Sequence, residues 1–145
     1  MKTYADTSVL FSLYATDANS PKADAGRKVT PVPLPFTVFH RLELRNAMSL
    51  AVFQQRITPI EAQLSWQEVE NDLIAGLLVP CHGPWHRIFQ AAEQMAQNHT
   101  AVVGCRTLDI IHVASASVLG STDFCTLDQR QLDLGRRLGL TVVYP

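Results

Sequence analysis

Four acidic residues stand at positions where their carboxylates could act together. Asp6 ends the first strand-like segment, and Asp128 follows the apolar run at 124–126. Asp109 begins the most apolar segment of the chain, and Glu43 lies early in a long amphipathic one. Carboxylates that share a cleft repel one another unless cations lie between them, and Mg²⁺ binds carboxylate oxygens together with waters and substrate phosphates. If the four side chains converge, the set predicts metal-assisted phosphodiester chemistry.

Each of these acids, taken alone, also has an ordinary structural explanation. Asp6 and Asp128 could be helix N-caps, because each precedes a helix-like segment. Asp109 could interact favourably with the dipole of its own helix, and Glu43 could be a solvated helix residue. The chemical hypothesis therefore depends on whether the fold brings the four together.

Short strand-like segments alternate with longer helix-like segments along the chain. Strands are expected at 2–6, 32–34, 77–80, 124–126 and 141–144. Helices are expected at 7–15, 21–28, 38–55, 59–74, 84–98, 108–119 and 129–138. Local signals set these limits: Thr37 precedes a helix, Thr58 and Glu61 form a capping box, and Gly120 and Gly139 end helices.

This alternation predicts an α/β protein with one domain spanning residues 1–145. Right-handed crossovers between the strands would give a central parallel sheet with helices on both faces. Ligands of such sheets bind at the carboxyl ends of the strands. Asp6 and Asp128 are expected at those ends, and the helices that carry Glu43 and Asp109 can start at the same edge.

Four segments of sequence surround the four acids, in a defined order and spacing. They are Tyr4-Ala5-Asp6-Thr7-Ser8, Arg41-Leu42-Glu43-Leu44, Arg106-Thr107-Leu108-Asp109-Ile110-Ile111-His112-Val113-Ala114 and Thr126-Leu127-Asp128-Gln129-Arg130. Together they resemble the PIN-domain ribonucleases, in particular the VapC-type toxins of toxin–antitoxin pairs. The resemblance extends over the whole chain, although residues 50–105 match only in helical pattern. Asp109 is followed by two isoleucines where many relatives have alanine.

The resemblance implies a metal-dependent endoribonuclease that cleaves RNA phosphodiester bonds. Its acidic site residues fall on Asp6, Glu43, Asp109 and Asp128. We expect Asp6 and Asp109 to bind Mg²⁺ or Mn²⁺ directly, and Glu43 and Asp128 to act through water. The resemblance also implies an RNA substrate, a homodimer and a cognate antitoxin that blocks the site.

Other polar residues near the acids are candidates for supporting roles. Ser8 and Thr126 are expected to hold the carboxylates through hydrogen bonds, although helix capping and strand propensity explain them equally well. Four arginines lie within a few residues of an acid and could contact RNA or pair with the acids: Arg41, Arg45, Arg106 and Arg130. His112 lies on the same helical face as Asp109, and the sequence assigns it no role.

Composition excludes several classes of protein. The 145 residues include 12 basic and 13 acidic side chains, so the formal charge of −1 argues against nucleic-acid binding by bulk electrostatics. The longest run without a charged residue, 73–86, contains two prolines and is too short for a membrane span. The three cysteines are widely spaced and no secretory signal is visible, which favours reduced thiols and a cytoplasmic location.

Three other functions are weighed against the nuclease. A catalytically inactive PIN-fold module that binds RNA or protein would have the same fold, and the presence of all four acids argues against it. A phospho-acceptor signalling domain needs a lysine late in the chain, whereas the last lysine here is Lys28. A nucleotide-binding fold is disfavoured because no glycine-rich phosphate loop occurs.

Overall fold

The computed structural model describes residues 1–15 and 33–143. This part of the chain forms five strands: β1 (Thr3–Ala5), β2 (Leu34–Thr37), β3 (Leu78–Cys81), β4 (Asp123–Cys125) and β5 (Thr141–Val143). It also forms six helices: α1 (Thr7–Tyr14), α2 (Val38–Phe53), α3 (Pro59–Ile74), α4 (Trp85–Val103), α5 (Thr107–Val118) and α6 (Gln129–Arg137). The expected helix at 21–28 lies outside the described residues.

All strand pairs in this part of the chain are parallel. β4 lies between β1 and β5, with Ala5 opposite Cys125 and Cys125 opposite Val143. β2 pairs with β3 and lies beside β1. The carboxyl ends of β1 and β4 are therefore adjacent, as expected from the strand–helix alternation.

Helices cover both faces of the sheet. Buried residues of α1, α2 and α3, such as Leu10, Leu44 and Val69, form one apolar cluster. Residues of α4, α5 and α6 form the other, together with Tyr4 and Phe124 from the strands. The expected α/β architecture with a parallel sheet between helical layers is confirmed.

Helix limits were predicted best where a local signal marks them. Thr58 and Glu61 form the expected capping box at the start of α3, and Thr37 caps α2 by accepting a hydrogen bond from the His40 backbone. α5 is buried continuously from residue 109 to residue 116, as its apolar sequence predicts. No helix in the described ranges is long and apolar enough to cross a bilayer.

Several predicted limits were wrong by one residue or more. β2 begins at Leu34, where a strand at 32–34 was expected, and it extends to Thr37. β3 lies one residue later than the expected 77–80. α4 continues past the predicted end at Asn98 to Val103, and it ends at Gly104, whose φ of 73° is left-handed.

Candidate active site

Asp6 occupies the carboxyl end of β1 and is almost fully buried. Its backbone N–H donates to the Cys125 carbonyl at 3.0 Å, which joins the ends of β1 and β4. The side chain is only 1% exposed. Its carboxylate accepts hydrogen bonds from Ser8 Oγ at 2.6 Å, Thr126 Oγ1 at 2.8 Å and the Val9 N–H at 3.1 Å. The last bond makes Asp6 the N-cap of α1, so its ordinary structural explanation also applies.

Burial raises the pKa of Asp6, because it disfavours the charged form. The nearby His112 and the three hydrogen bonds lower the pKa in part. All three donors are uncharged, and within the described residues no lysine or arginine forms an ion pair with Asp6. A buried carboxylate without a paired cation is costly, so Asp6 is a favourable place for a cation to bind.

Ser8 and Thr126 each link Asp6 to the loop after β4. Thr126 Oγ1 donates to Asp6 and accepts from the Asp128 N–H at 3.0 Å. Ser8 Oγ donates to Asp6 and accepts from the Leu127 N–H at 3.1 Å. The two hydroxyls therefore fix the carboxylate of Asp6 against the backbone that carries Asp128.

Glu43 is half-buried in the second turn of α2. Its Oε1 accepts from Thr7 Oγ1 at 2.7 Å and lies 2.5 Å from His112 Nε2. Burial alone would raise its pKa, but the hydrogen bond and charge of His112, with the bond from Thr7, hold the pKa of Glu43 below its usual value. Since Thr7 follows Asp6 directly, these contacts place Glu43 beside the end of β1.

Asp109 and Asp128 are linked through Gln131 of α6. The Gln131 side-chain amide donates to Asp109 Oδ1 at 3.1 Å, and its backbone N–H donates to Asp128 Oδ1 at 2.9 Å. Asp109 also accepts from the backbone N–H and the Nε of Arg106, both at 3.3 Å. Asp128 is the N-cap of α6, so its structural explanation holds alongside any chemical role.

The fold therefore connects all four predicted acids at one edge of the sheet. Asp6 is joined to Asp128 through Thr126, Asp128 to Asp109 through Gln131, and Glu43 to the β1 end through Thr7. In residues 1–15 and 33–143, no group of three or more His, Cys, Asp and Glu side chains is arranged to hold a metal ion. Glu43 and Asp109 are instead turned towards protein hydrogen-bond donors.

The four candidate arginines differ in their surroundings. Arg41 pairs with Glu70 of α3 at 2.6 Å, and Arg45 stacks on Trp66, with its guanidinium carbon 3.8 Å from the ring centroid. Arg106 pairs with Asp109, but its side chain is largely exposed, so solvent screens the pair. Arg130 is exposed at the start of α6, two residues after Asp128. As RNA contacts, all four remain predictions.

Sequence reasoning missed two residues that hold the acids, Thr7 and Gln131, and it left the role of His112 open. Thr7 and His112 contact Glu43, and Gln131 contacts Asp109. Gln131 follows Asp128 by three residues, so a capping relationship was foreseeable, but its contact with Asp109 was not. His112 had a detectable signal: it is a polar residue inside a helix that is otherwise apolar on nearly every face.

Three solved structures resemble this chain over almost its whole length. VapC20 of Mycobacterium tuberculosis, described as a sarcin–ricin loop cleaving toxin, superposes with a TM-score of 0.69 at 16% identity, covering 99% of this chain and 100% of its own. FitAcB of Neisseria gonorrhoeae superposes with a TM-score of 0.66 at 17% identity, covering 99% of this chain and 97% of its own. PAE2754 of Pyrobaculum aerophilum superposes with a TM-score of 0.59 at 17% identity, covering 99% of this chain and 91% of its own.

At such low identity, these similarities establish the fold. No family model and no curated protein sequence matches the chain significantly. The parallel sheet, the helical layers on both faces and the near-complete coverage agree with the resemblance that the four acidic segments indicated. The chain therefore shares the fold of these three structures, as the resemblance predicted.

Proposed function

We propose that this protein is a metal-dependent endoribonuclease and the toxin of a toxin–antitoxin pair. The observation that carries the proposal is the carboxylate of Asp6, buried at the carboxyl end of β1 with only uncharged hydrogen-bond donors around it. Such a group is stabilised by a bound cation. The fold shared with VapC20, a toxin that cleaves the sarcin–ricin loop, favours RNA as the substrate class.

Asp6 and Asp109 are the proposed direct ligands of Mg²⁺ or Mn²⁺, with Glu43 and Asp128 acting through water. A divalent ion bound there would stabilise charge on the scissile phosphate and lower the pKa of an attacking water. Since no three described side chains form a ready-made metal cage, waters and RNA phosphate would complete the coordination. Mg²⁺ commonly binds in this way, with one or two carboxylates and several waters.

The protein's own side chains do the positioning. Ser8 and Thr126 hold Asp6 in one orientation, which keeps its ligand oxygens from rotating away. Gln131 does the same for Asp109. Arg106 and Arg130, both exposed next to acids of the site, are the arginines best placed to bind phosphates on either side of the cleaved bond.

The proposal includes a homodimer and a cognate antitoxin. Large apolar side chains of α2 and α3 lie exposed, among them Phe53, Ile60, Leu64 and Ile74, with Phe53 84% and Ile74 85% exposed. Exposed apolar groups of this size are typical of protein interaction sites. Sedimentation equilibrium of the purified chain measures whether it forms a dimer.

The decisive experiment compares Asp6→Asn with Asp123→Asn in cleavage of total RNA with millimolar Mg²⁺. Asp123 is the matched control because it lies at the opposite, amino end of β4 and pairs with Lys2. Wild type and Asp123→Asn should cleave, EDTA should stop both, and Asp6→Asn should not cleave. Undiminished cleavage in EDTA would disprove the metal-dependent mechanism.

An inactive PIN-fold binding module is the alternative function. It predicts that wild-type protein retains RNA in a binding assay without forming shorter products under any metal condition. The same experiment separates the two, because the nuclease releases fragments and the binding module does not.

A further inference from the structure

Two buried histidines lie side by side near the end of β1 and have different kinds of partner. Their ring centroids are 5.2 Å apart, and each is at most 2% exposed. His40 bonds to the backbone through both ring nitrogens: Nδ1 accepts from the Thr37 N–H at 3.1 Å, and Nε2 donates to the Ala5 carbonyl at 2.9 Å. These are the bonds of a structural histidine.

His112 instead bonds only to side chains among the described residues. Its Nδ1 lies 2.9 Å from the Tyr4 hydroxyl, and its Nε2 lies 2.5 Å from Glu43 Oε1 and 3.2 Å from Thr7 Oγ1. Because the Glu43 carboxylate can only accept, Nε2 of His112 carries the hydrogen directed at it. A buried chain of contacts therefore runs from Tyr4 through His112 to an acid of the proposed site.

Both donors to Glu43 use the same carboxylate oxygen. Thr7 Oγ1 and His112 Nε2 each contact Oε1, and within the described part of the chain no hydrogen bond engages Oε2. A carboxylate held by two donors on one oxygen cannot rotate freely. The second oxygen is then kept in a fixed place and remains able to accept a bond from a ligand.

We propose that His112 is a positioning residue, which with Thr7 fixes Glu43 so that its Oε2 accepts a bond from a water bound to the divalent ion. This inference rests on the proposed nuclease function. Groups that orient the residues around a metal typically change metal affinity or activity by about 10- to 100-fold when they are removed. His112 should act through Glu43 and not through the stability of the core.

The test is a double-mutant cycle between His112→Ala and Glu43→Gln, read out as kcat for RNA cleavage and as the Kd for Mn²⁺ from calorimetry. We expect His112→Ala alone to lower kcat or weaken Mn²⁺ binding about 10- to 100-fold. In the Glu43→Gln background it should change either value less than about twofold, because the group it positions is already lost. An undiminished effect of His112→Ala in that background would overturn the proposal.

Two further variants separate positioning from folding. His112→Gln retains a side-chain N–H that can reach Glu43, so it should recover part of the activity that His112→Ala loses. His40→Gln, at the neighbouring structural histidine, should lower the melting temperature. Any effect that it has on kcat or on the Kd for Mn²⁺ should multiply with the effect of Glu43→Gln. If His112→Gln is as impaired as His112→Ala while both melt like the wild type, the hydrogen bond is not the cause and the proposal fails.

The Mn²⁺ measurement keeps this inference distinct from the proposed function. Wild-type protein that binds Mn²⁺ but cleaves no RNA would refute the nuclease and still allow the cycle to be measured on Kd. Wild-type protein that neither binds Mn²⁺ nor cleaves would refute both.

Discussion

Single residues in this protein show how burial changes the acid–base properties of a side chain. Burial lowers the pKa of His40 from 6.5 to about 3, with a further contribution from the neighbouring His112, while the bond to the Ala5 carbonyl acts in the opposite direction. Burial raises the pKa of Asp6. Both side chains lie at the same end of β1. Because their pKa values shift in opposite directions, their contributions to stability change with pH in opposite senses.

Acid should destabilise the protein through His40. Below pH 6.5 His40 is protonated in the unfolded chain, whereas in the folded protein it stays neutral down to about pH 3. Stability is therefore lost as the pH falls through this window. The contribution approaches about 1.4 kcal/mol per pH unit. Urea unfolding at pH 7, 6 and 5 should show a smaller pH slope for His40→Gln than for wild type. Equal slopes would show that His40 does not couple folding to protonation.

Asp6 should make stability depend on metal. Its folded pKa lies above the unfolded value, so the folded state binds more protons there and the contribution of Asp6 falls as the pH rises through that window. At pH 7 in EDTA, Asp6→Asn should therefore be as stable as wild type or more stable. Mg²⁺ at a hundredfold excess over Kd should stabilise the wild type by about 2.7 kcal/mol.

Asp6→Asn has lost a proposed metal ligand, so Mg²⁺ should stabilise it much less than it stabilises the wild type. Thermal unfolding with EDTA and with Mg²⁺ measures both effects, and Asp123→Asn, at the opposite sheet edge, should behave like the wild type. Equal Mg²⁺ shifts in Asp6→Asn and wild type would remove Asp6 from the metal site.

At the scale of helices and strands, the predictable features are those fixed by neighbours in sequence. The Thr58–Glu61 capping box and the stop at Gly120 depend on residues a few positions apart, so the sequence alone reveals them. The contacts of the candidate site join residues far apart: 120 positions for Asp6 and Thr126, and 69 for Glu43 and His112. Only tertiary packing creates these pairs. Ser8 and Thr126 were predicted as partners of the acids through the resemblance, whereas the contacts of Thr7, His112 and Gln131 were not.

Asp128 combines a helix cap with a proposed chemical role, and one substitution can separate them. Serine is as good an N-cap as aspartate, so Asp128→Ser should keep α6 within about 0.5 kcal/mol of wild-type stability while lowering RNA cleavage. Asp128→Ala should lower both, because losing the cap costs about 1 kcal/mol. Thermal melts and cleavage rates of the two variants provide the measurement. Full activity of Asp128→Ser would make Asp128 a cap and nothing more.

For the whole molecule, the formal charge of −1 limits how the proposed RNA substrate could be held. Binding must depend on a few local contacts, and Arg41 and Arg45 already have partners in Glu70 and Trp66. Each phosphate contact to single-stranded nucleic acid contributes about −0.7 to the slope of log K against log salt. Two contacts, from Arg106 and Arg130, therefore predict a slope of about −1.4.

Fluorescence anisotropy with the Asp6→Asn protein, which should bind RNA without cutting it, measures this slope. Arg130→Gln should make it shallower by about 0.7, whereas Arg41→Gln should leave it unchanged. A steeper wild-type slope that Arg41→Gln reduces would place the RNA across α2 instead.

The bonds from Ser8 and Thr126 to Asp6 have a consequence for synthesis on the ribosome. Asp6 is made before β4, which pairs with β1, and before the Thr126 hydroxyl, both of which are added more than a hundred residues later. Until then a nascent chain has its first acid without the neighbour that orients it. A growing polypeptide therefore cannot assemble the site, and the proposed activity can begin only after translation has passed β4.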